Sequence, residues 1–135
     1  MARILALDLG EKRTGIAVSD PLKIIATGLT AIETKELIPF LKKYLNEEKV
    51  DTIVIGDPKR INENEPVQVL VNAKEAELKN LFPEIKIERH DERFTSMMAK
   101  TAINFSVKSK TERRSKALVD KVSAVIILQS FMEKK

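Results

Sequence analysis

Four consecutive apolar residues, Ile4-Leu5-Ala6-Leu7, stop abruptly on Asp8, and Leu9-Gly10 leads on to a second apolar run, Ile16-Ala17-Val18. A run without polar alternation has no face to show to water, so it reads as a strand covered on both sides. This restricts the chain to layered architectures in which a central strand is sandwiched between other elements. It also leaves a carboxylate at the mouth of that strand, where an ionised group is costly unless a cation compensates it. Asp8 therefore either caps the turn made with Gly10 or belongs to a set of carboxylates around a metal ion or a phosphate.

The rest of the chain supplies the layers. Arg13 to Ser19 reads as a second strand after a tight Gly10-Glu11-Lys12 connection, and Pro21 breaks it. Ile24 to Ile32 reads as a third, with a bulge at Gly28. The period then changes: Leu37, Ile38, Leu41, Tyr44 and Leu45 recur at helical spacing, with Thr34 as the expected N-cap. Thr52 to Ile55 is a short buried strand ending at Gly56, giving a parallel crossover. A helix follows through Val67, Leu70, Val71 and Leu78, stopping before Pro83. Ile85 and Ile87 alternate with Lys86 and Glu88 in a fifth strand nearer an edge. Thr95 is expected to cap a short helix through Met97, Met98 and Ile103, all core filling. A last helix spans about 115–132, with Leu118, Val119, Val122, Val125, Ile126 and Gln129 as its stripe. The expected fold class is α/β: a mixed five-stranded sheet, three antiparallel strands then parallel crossovers, with helices on both faces in a single domain spanning 1–135.

Composition excludes several chemistries. The chain has no cysteine and one histidine, His90, so thiolate sites, disulfides and multi-histidine metal sites are ruled out. The longest apolar run near the C-terminus, Val122 to Leu128, is too short to span a bilayer, no signal peptide is read at the N-terminus, and a cytoplasmic protein without a membrane partner is expected. A net charge of +4 suits a polyanionic partner.

In open α/β sheets, sites form beyond the carboxyl ends of the parallel strands. Asp8, Asp57, Asp91 and Glu92 all follow such ends, and Asp120 lies early in the last helix beside the small Ser123 and Ala124, which would allow a close approach to the sheet. Like charges this close repel, so oxygen-only ligands around Mg²⁺ or Mn²⁺ are expected. For Asp57 the favoured reading is the cap of the turn ahead of Pro58, ahead of a metal role.

Three segments carry a resemblance. Asp8-Leu9-Gly10-Glu11-Lys12-Arg13-Thr14-Gly15-Ile16-Ala17-Val18-Ser19-Asp20, then Asp91-Glu92-Arg93-Phe94-Thr95-Ser96, then Asp120-Lys121-Val122-Ser123-Ala124-Val125-Ile126-Ile127-Leu128 resemble the YqgF/RuvX family. These are small bacterial proteins of RNase H-like fold, described both as Holliday junction resolvases and as nucleases that mature pre-16S rRNA. The resemblance implies that Asp8, Glu92 and Asp120 are the catalytic, metal-binding acids, and it leaves the roles of Asp57 and Asp91 open. One departure stands out: the family's Gly-Leu-Pro after the fourth strand is Gly56-Asp57-Pro58 here.

The expected chemistry is phosphodiester hydrolysis with two divalent ions about 4 Å apart. Lys12, Arg13, Lys59, Arg60, Arg93, Lys108, Lys110, Arg113, Arg114 and Lys116 are the expected phosphate contacts. Phe94 and Phe105 read as core in preference to base-stacking groups. The substrate is either structured RNA, favoured by the resemblance, or branched DNA. A monomer or weak homodimer is expected, since symmetric junction cleavage needs two sites. Two rivals remain: a non-catalytic nucleic-acid-binding factor, and a phosphate-loop ATPase module like the actin/sugar-kinase group, for which the second loop is missing.

Overall fold

Asp20 decides where the third strand begins. The computed structural model, which describes residues 1–58, 62, 64–91 and 116–133, has strands β1 (Arg3–Leu9), β2 (Arg13–Ser19) and β3 (Ala26–Glu33). The Asp20 carboxylate accepts from the backbone N–H of Leu22 at 3.1 Å, Ile24 at 2.8 Å and Ile25 at 2.6 Å. Ile24 and Ile25 thus give their donors to a side chain and not to β2, so β3 starts two residues later than the apolar pattern suggests. The bulge falls at Leu29, beside Gly28, where pairing steps from Ile16–Thr30 to Ala17–Gly28.

Thr34 is not a helix cap. It opens a 3₁₀ turn, Thr34–Glu36, ahead of helix α1 (Leu37–Glu47). Its hydroxyl donates to the Gly10 carbonyl at 2.6 Å and lies 2.9 Å from the Thr14 hydroxyl. The side chain ties the β1–β2 turn to the end of β3 and makes no capping hydrogen bond to the helix start.

Strand β4 (Val50–Asp57) pairs parallel to β1. Helix α2 (Pro66–Leu81) follows, with Pro66 in its first turn, where the missing N–H costs nothing. Strand β5 (Lys86–Asp91) closes the sheet in the order β3-β2-β1-β4-β5, as an outer strand parallel to β4. The last helix, α3, spans Lys116–Glu133.

Strand alternation splits the core in two. Leu5, Leu7, Leu9, Ile16, Val18, Ile53 and Ile55 face α1 and α2, packing with Leu37, Leu41, Val71 and Leu78. Ile4, Ala6, Ala17 and Val54 face α3, packing with Ala124, Ile127, Leu128 and Phe131. The α3 face differs from the expected stripe: Ser123, Ala124, Ile127, Leu128 and Phe131 are buried, whereas Gln129 is exposed. A helix apolar on nearly all sides does not choose its own face by periodicity; the need for small residues against the sheet chooses it. Among the described residues no helix is long and apolar enough to cross a membrane.

Candidate functional site

Asp8 shares the parity of Ile4 and Ala6, so its half-buried side chain faces α3. On that face its neighbours are glycines. Gly15 is its register partner on β2, and Gly56 lies one step beyond the Leu7–Ile55 pair on β4. Neither neighbour has a side chain to cover the carboxylate.

Asp120 arrives from the other end of the chain. A Cβ at Gly15 would collide with the Asp120 backbone carbonyl, so α3 rests directly on β2 at the level of Asp8. Ser123 and Ala124, one turn further, are fully buried and permit that contact. Gly15 is the residue that sequence reasoning missed. Its signal was visible: glycine inside a strand marks a close backbone approach.

Arg13, expected to touch phosphate, sits in the same place and donates from Nε to Asp120 Oδ2 at 3.1 Å. Lys12 is exposed in the adjoining turn, where Gly10 N–H bonds the Arg13 carbonyl at 2.9 Å. Asp120 and the Arg13 guanidinium therefore meet against Gly15, the register partner of Asp8.

The donor set fits a hard divalent cation: carboxylate oxygens, with no sulfur and no imidazole on them. A second observation agrees. The Ser123 Oγ is buried with no hydrogen-bond partner, one turn along α3 from Asp120. Among the described residues no three acidic, histidine or cysteine side chains stand together as a metal-binding group. Glu92, the third expected acid, lies outside the described residues, as do Lys59, Arg60, Arg93, Lys108, Lys110, Arg113, Arg114 and the Thr95–Ile103 helix. Lys116 begins α3.

The acids expected at one spot divide between two faces. Asp57 has the parity of Ile53 and Ile55, and Asp91, its register partner, that of Ile87, so both belong to the α2 side of the sheet. Asp57 is 6% exposed. Its Oδ1 accepts from Gln68 Nε2 at 3.5 Å, and its Oδ2 lies 3.4 Å from Arg89 Nη1. Side chains of α2 and β5 thus hold a residue for which sequence had favoured a turn cap. His90, on the α3 side, is structural: Nε2 lies 2.7 Å from the Ser130 hydroxyl and the ring is edge-on to Phe131.

Residues 2–134 match the family model described as RuvX, Holliday junction resolvase. A protein of Christiangramia forsetii that carries the name "Putative pre-16S rRNA nuclease" is 52% identical over 98% of both chains. Two solved structures share the fold at low identity. The fowlpox virus Holliday junction resolvase has a TM-score of 0.59 at 14% identity, covering 98% of this chain and 99% of its own. Thermus thermophilus RuvC, solved with a Holliday junction substrate, has a TM-score of 0.60 at 13% identity, covering 99% and 96%. The fold is RNase H-like, and by the match along nearly its whole length the chain belongs to the RuvX family.

Proposed function

We propose that this protein is a divalent-metal-dependent nuclease that hydrolyses phosphodiester bonds in structured nucleic acid, with 5′-end maturation of pre-16S rRNA as its reaction. The observation that carries the reading is that the backbone of Asp120 rests on Gly15, the register partner of Asp8, although Asp8 and Asp120 are 112 positions apart in sequence. The name of the Christiangramia relative favours the RNA substrate.

Asp8, Asp120 and Glu92 would hold Mg²⁺ or Mn²⁺. When bound, such a pair of ions polarises the phosphoryl oxygens and makes bound water acidic enough to serve as nucleophile at neutral pH. The protein's own part is to present its carboxylates on rigid elements. Asp8 is fixed by a central strand hydrogen-bonded on both sides, and Asp120 by a helix whose backbone cannot lift without breaking contact with Gly15. Lys12 in the β1–β2 turn and Arg13 at the start of β2 supply positive charge where a phosphate backbone would run. Such contacts position a substrate without reading its sequence.

The fold shared with two junction resolvases favours branched DNA as a second reading. Symmetric cleavage there would need two copies of the chain. Purified protein offered a structured precursor RNA and a four-way DNA junction side by side, with Mg²⁺ and with Mn²⁺, separates the two. Metal-dependent cutting of the RNA is expected, and its loss in Asp8→Asn. Retained cutting in that variant overturns the site, and binding without cutting makes the protein a nucleic-acid-binding factor.

A further inference from the structure

The two edges of the sheet meet solvent differently. Lys86, Glu88, Arg89 and Asp91 make four of the six residues of β5 charged, and charge along an outer strand discourages a further strand from pairing. β3 forms the other edge, and among the described residues no strand pairs beyond it. Of its eight residues only the last, Glu33, is charged, and proline and lysine are absent. The bulge at Leu29 bends this edge but puts no charge on it. Apolar surface continues into the turn before the strand: Leu22 is 57% exposed, Ile24 68% and Ile25 63%, and Leu29 follows at 37%. That turn is held by Asp20, whose backbone N–H also bonds the Ile25 carbonyl at 3.2 Å. Large apolar side chains displayed on a fixed turn add nothing to a single chain, because they contribute only on leaving water.

An open groove flanks this edge on each face. On the α3 side Ile24, Ile25 and Ala26 line one of about 470 Å³ with Gln129 and Met132. On the α1 side Ile25, Thr27 and Leu29 line another of about 470 Å³ with Tyr44. A strand added here would send alternate side chains to the two faces, so one extended segment serves both grooves while its backbone takes up the edge donors and acceptors. Charge says which segment fits. Every residue between Lys23 and Glu33 is uncharged, the two ends are opposite in sign, and Gly28 lies midway. An antiparallel second copy sets Lys23 against the partner's Glu33 and Glu33 against the partner's Lys23, whereas a parallel one opposes like charges. A wholly acidic or wholly basic peptide matches one end and is repelled at the other.

We infer that β3 is the pairing edge of a homodimer: β3 of a second copy adds antiparallel across a two-fold axis at Gly28, and the two five-stranded sheets join. The inference stands apart from the nuclease reading and needs no residue of the Asp8 and Asp120 corner. Lys23 and Glu33 have exposed partners within the chain, Asp51 at 2.6 Å and Lys35 at 3.5 Å. Exposed pairs of this kind contribute little, so exchanging them for the partner's charges costs little. Ile24 and Ile25 come against the partner's Ile32 and the partner's Ala31, which takes them out of water. β1 runs antiparallel to β2, and β2 to β3, so β1 points the same way as β3. Antiparallel pairing therefore puts the two copies of Asp8 at opposite ends of the joined sheet, as two separate sites.

Sedimentation equilibrium of the full chain, over a range of concentrations and without nucleic acid, reads the association. A monomer–dimer equilibrium is expected. Thr27→Lys places like charges beside the axis and should weaken dimerisation about tenfold. Glu33→Lys opposes like charges at both ends and should weaken it several-fold, and Lys23→Glu combined with Glu33→Lys should restore it. Thr27 and Glu33 are exposed, so the melting temperatures of these variants should stay near that of the parent protein. A chain that stays monomeric at every concentration overturns the inference. So does a dimer that Thr27→Lys and Glu33→Lys leave at full strength, since another face must then carry it. A dimer weakened by Glu33→Lys that the double exchange does not restore overturns the antiparallel pairing, and the inference with it.

Discussion

Two acid-bearing corners sit at the same end of the sheet, on opposite faces, and they have opposite chemistry. On the α3 face, Asp8 has glycines as cross-strand neighbours, and Asp120 takes Arg13 from the start of β2. On the α2 face, Asp57 is buried beside Gln68 and Arg89, and its charge is balanced within the fold. The first corner sets its carboxylates on a face where the neighbouring strand positions are glycines, which suits an exchangeable cation. The second ties its acid to side chains of α2 and β5. A one-residue difference in strand parity decides which corner an aspartate joins.

The largest expected effect is Asp8→Asn, which should lower cleavage by about 100- to 1,000-fold, the loss typical of removing one transition-state-stabilising group, with the thermal melting temperature little changed. A comparable loss in Asp57→Asn at saturating RNA would break the division between corners. Next comes Gly15→Ala. Its Cβ would meet backbone at Asp120, and overpacking of this kind costs about 1–3 kcal/mol. Urea denaturation should show that loss together with reduced cleavage. Gly28→Ala is the control, because its Cβ would meet the flexible Lys121 side chain at 2.8 Å and Val125 at 3.3 Å. It should be milder in stability and leave cleavage intact.

Breaking the α2 corner should cost stability without touching the chemical step. Asp57→Ala strands part of a buried hydrogen-bonded network, at about 1–3 kcal/mol. Denaturation should register this, while kcat with saturating substrate stays near that of the parent protein. The smallest effect concerns acid. Backbone N–H bonds, from Ile25 first and also from Ile24 and Leu22, hold the Asp20 carboxyl below the ordinary carboxylate range despite some opposing desolvation. A carboxyl with a depressed folded pKa adds stability above its unfolded pKa, and that contribution is lost as pH falls through the folded one. Asp20→Asn should therefore narrow the stability gap between neutral and acidic pH, read as the difference in melting temperature between the two.

Much of the fold was legible because the relevant patterns are local. The limits of β2, the amphipathic α1 with Leu37 and Leu41 inward, the parallel crossover into β4 and the outer position of β5 all follow from periodicity and punctuation. The misreadings share a cause as well. Thr34 has the chemistry of a cap, yet its hydroxyl goes to Gly10 and Thr14 across the sheet. The face of α3 was misassigned because nearly every side of that helix is apolar. Whether Asp57 or Asp91 joins Asp8 was left open because all three lie at strand ends, and only the alternation of residues between faces separates them.

Sequence by itself determined that a buried central strand ends in a carboxylate, that any metal ligands must be oxygen donors, and that the chain resembles the RuvX family. Tertiary structure decided which carboxylates share a face. Strand parity and the absence of a Cβ at Gly15 set how close α3 comes to β2, and that contact puts the Asp120 backbone against the register partner of Asp8. The physical reason is range: propensity and periodicity act over a few residues, whereas the meeting of two charges depends on the packing of elements more than a hundred residues apart.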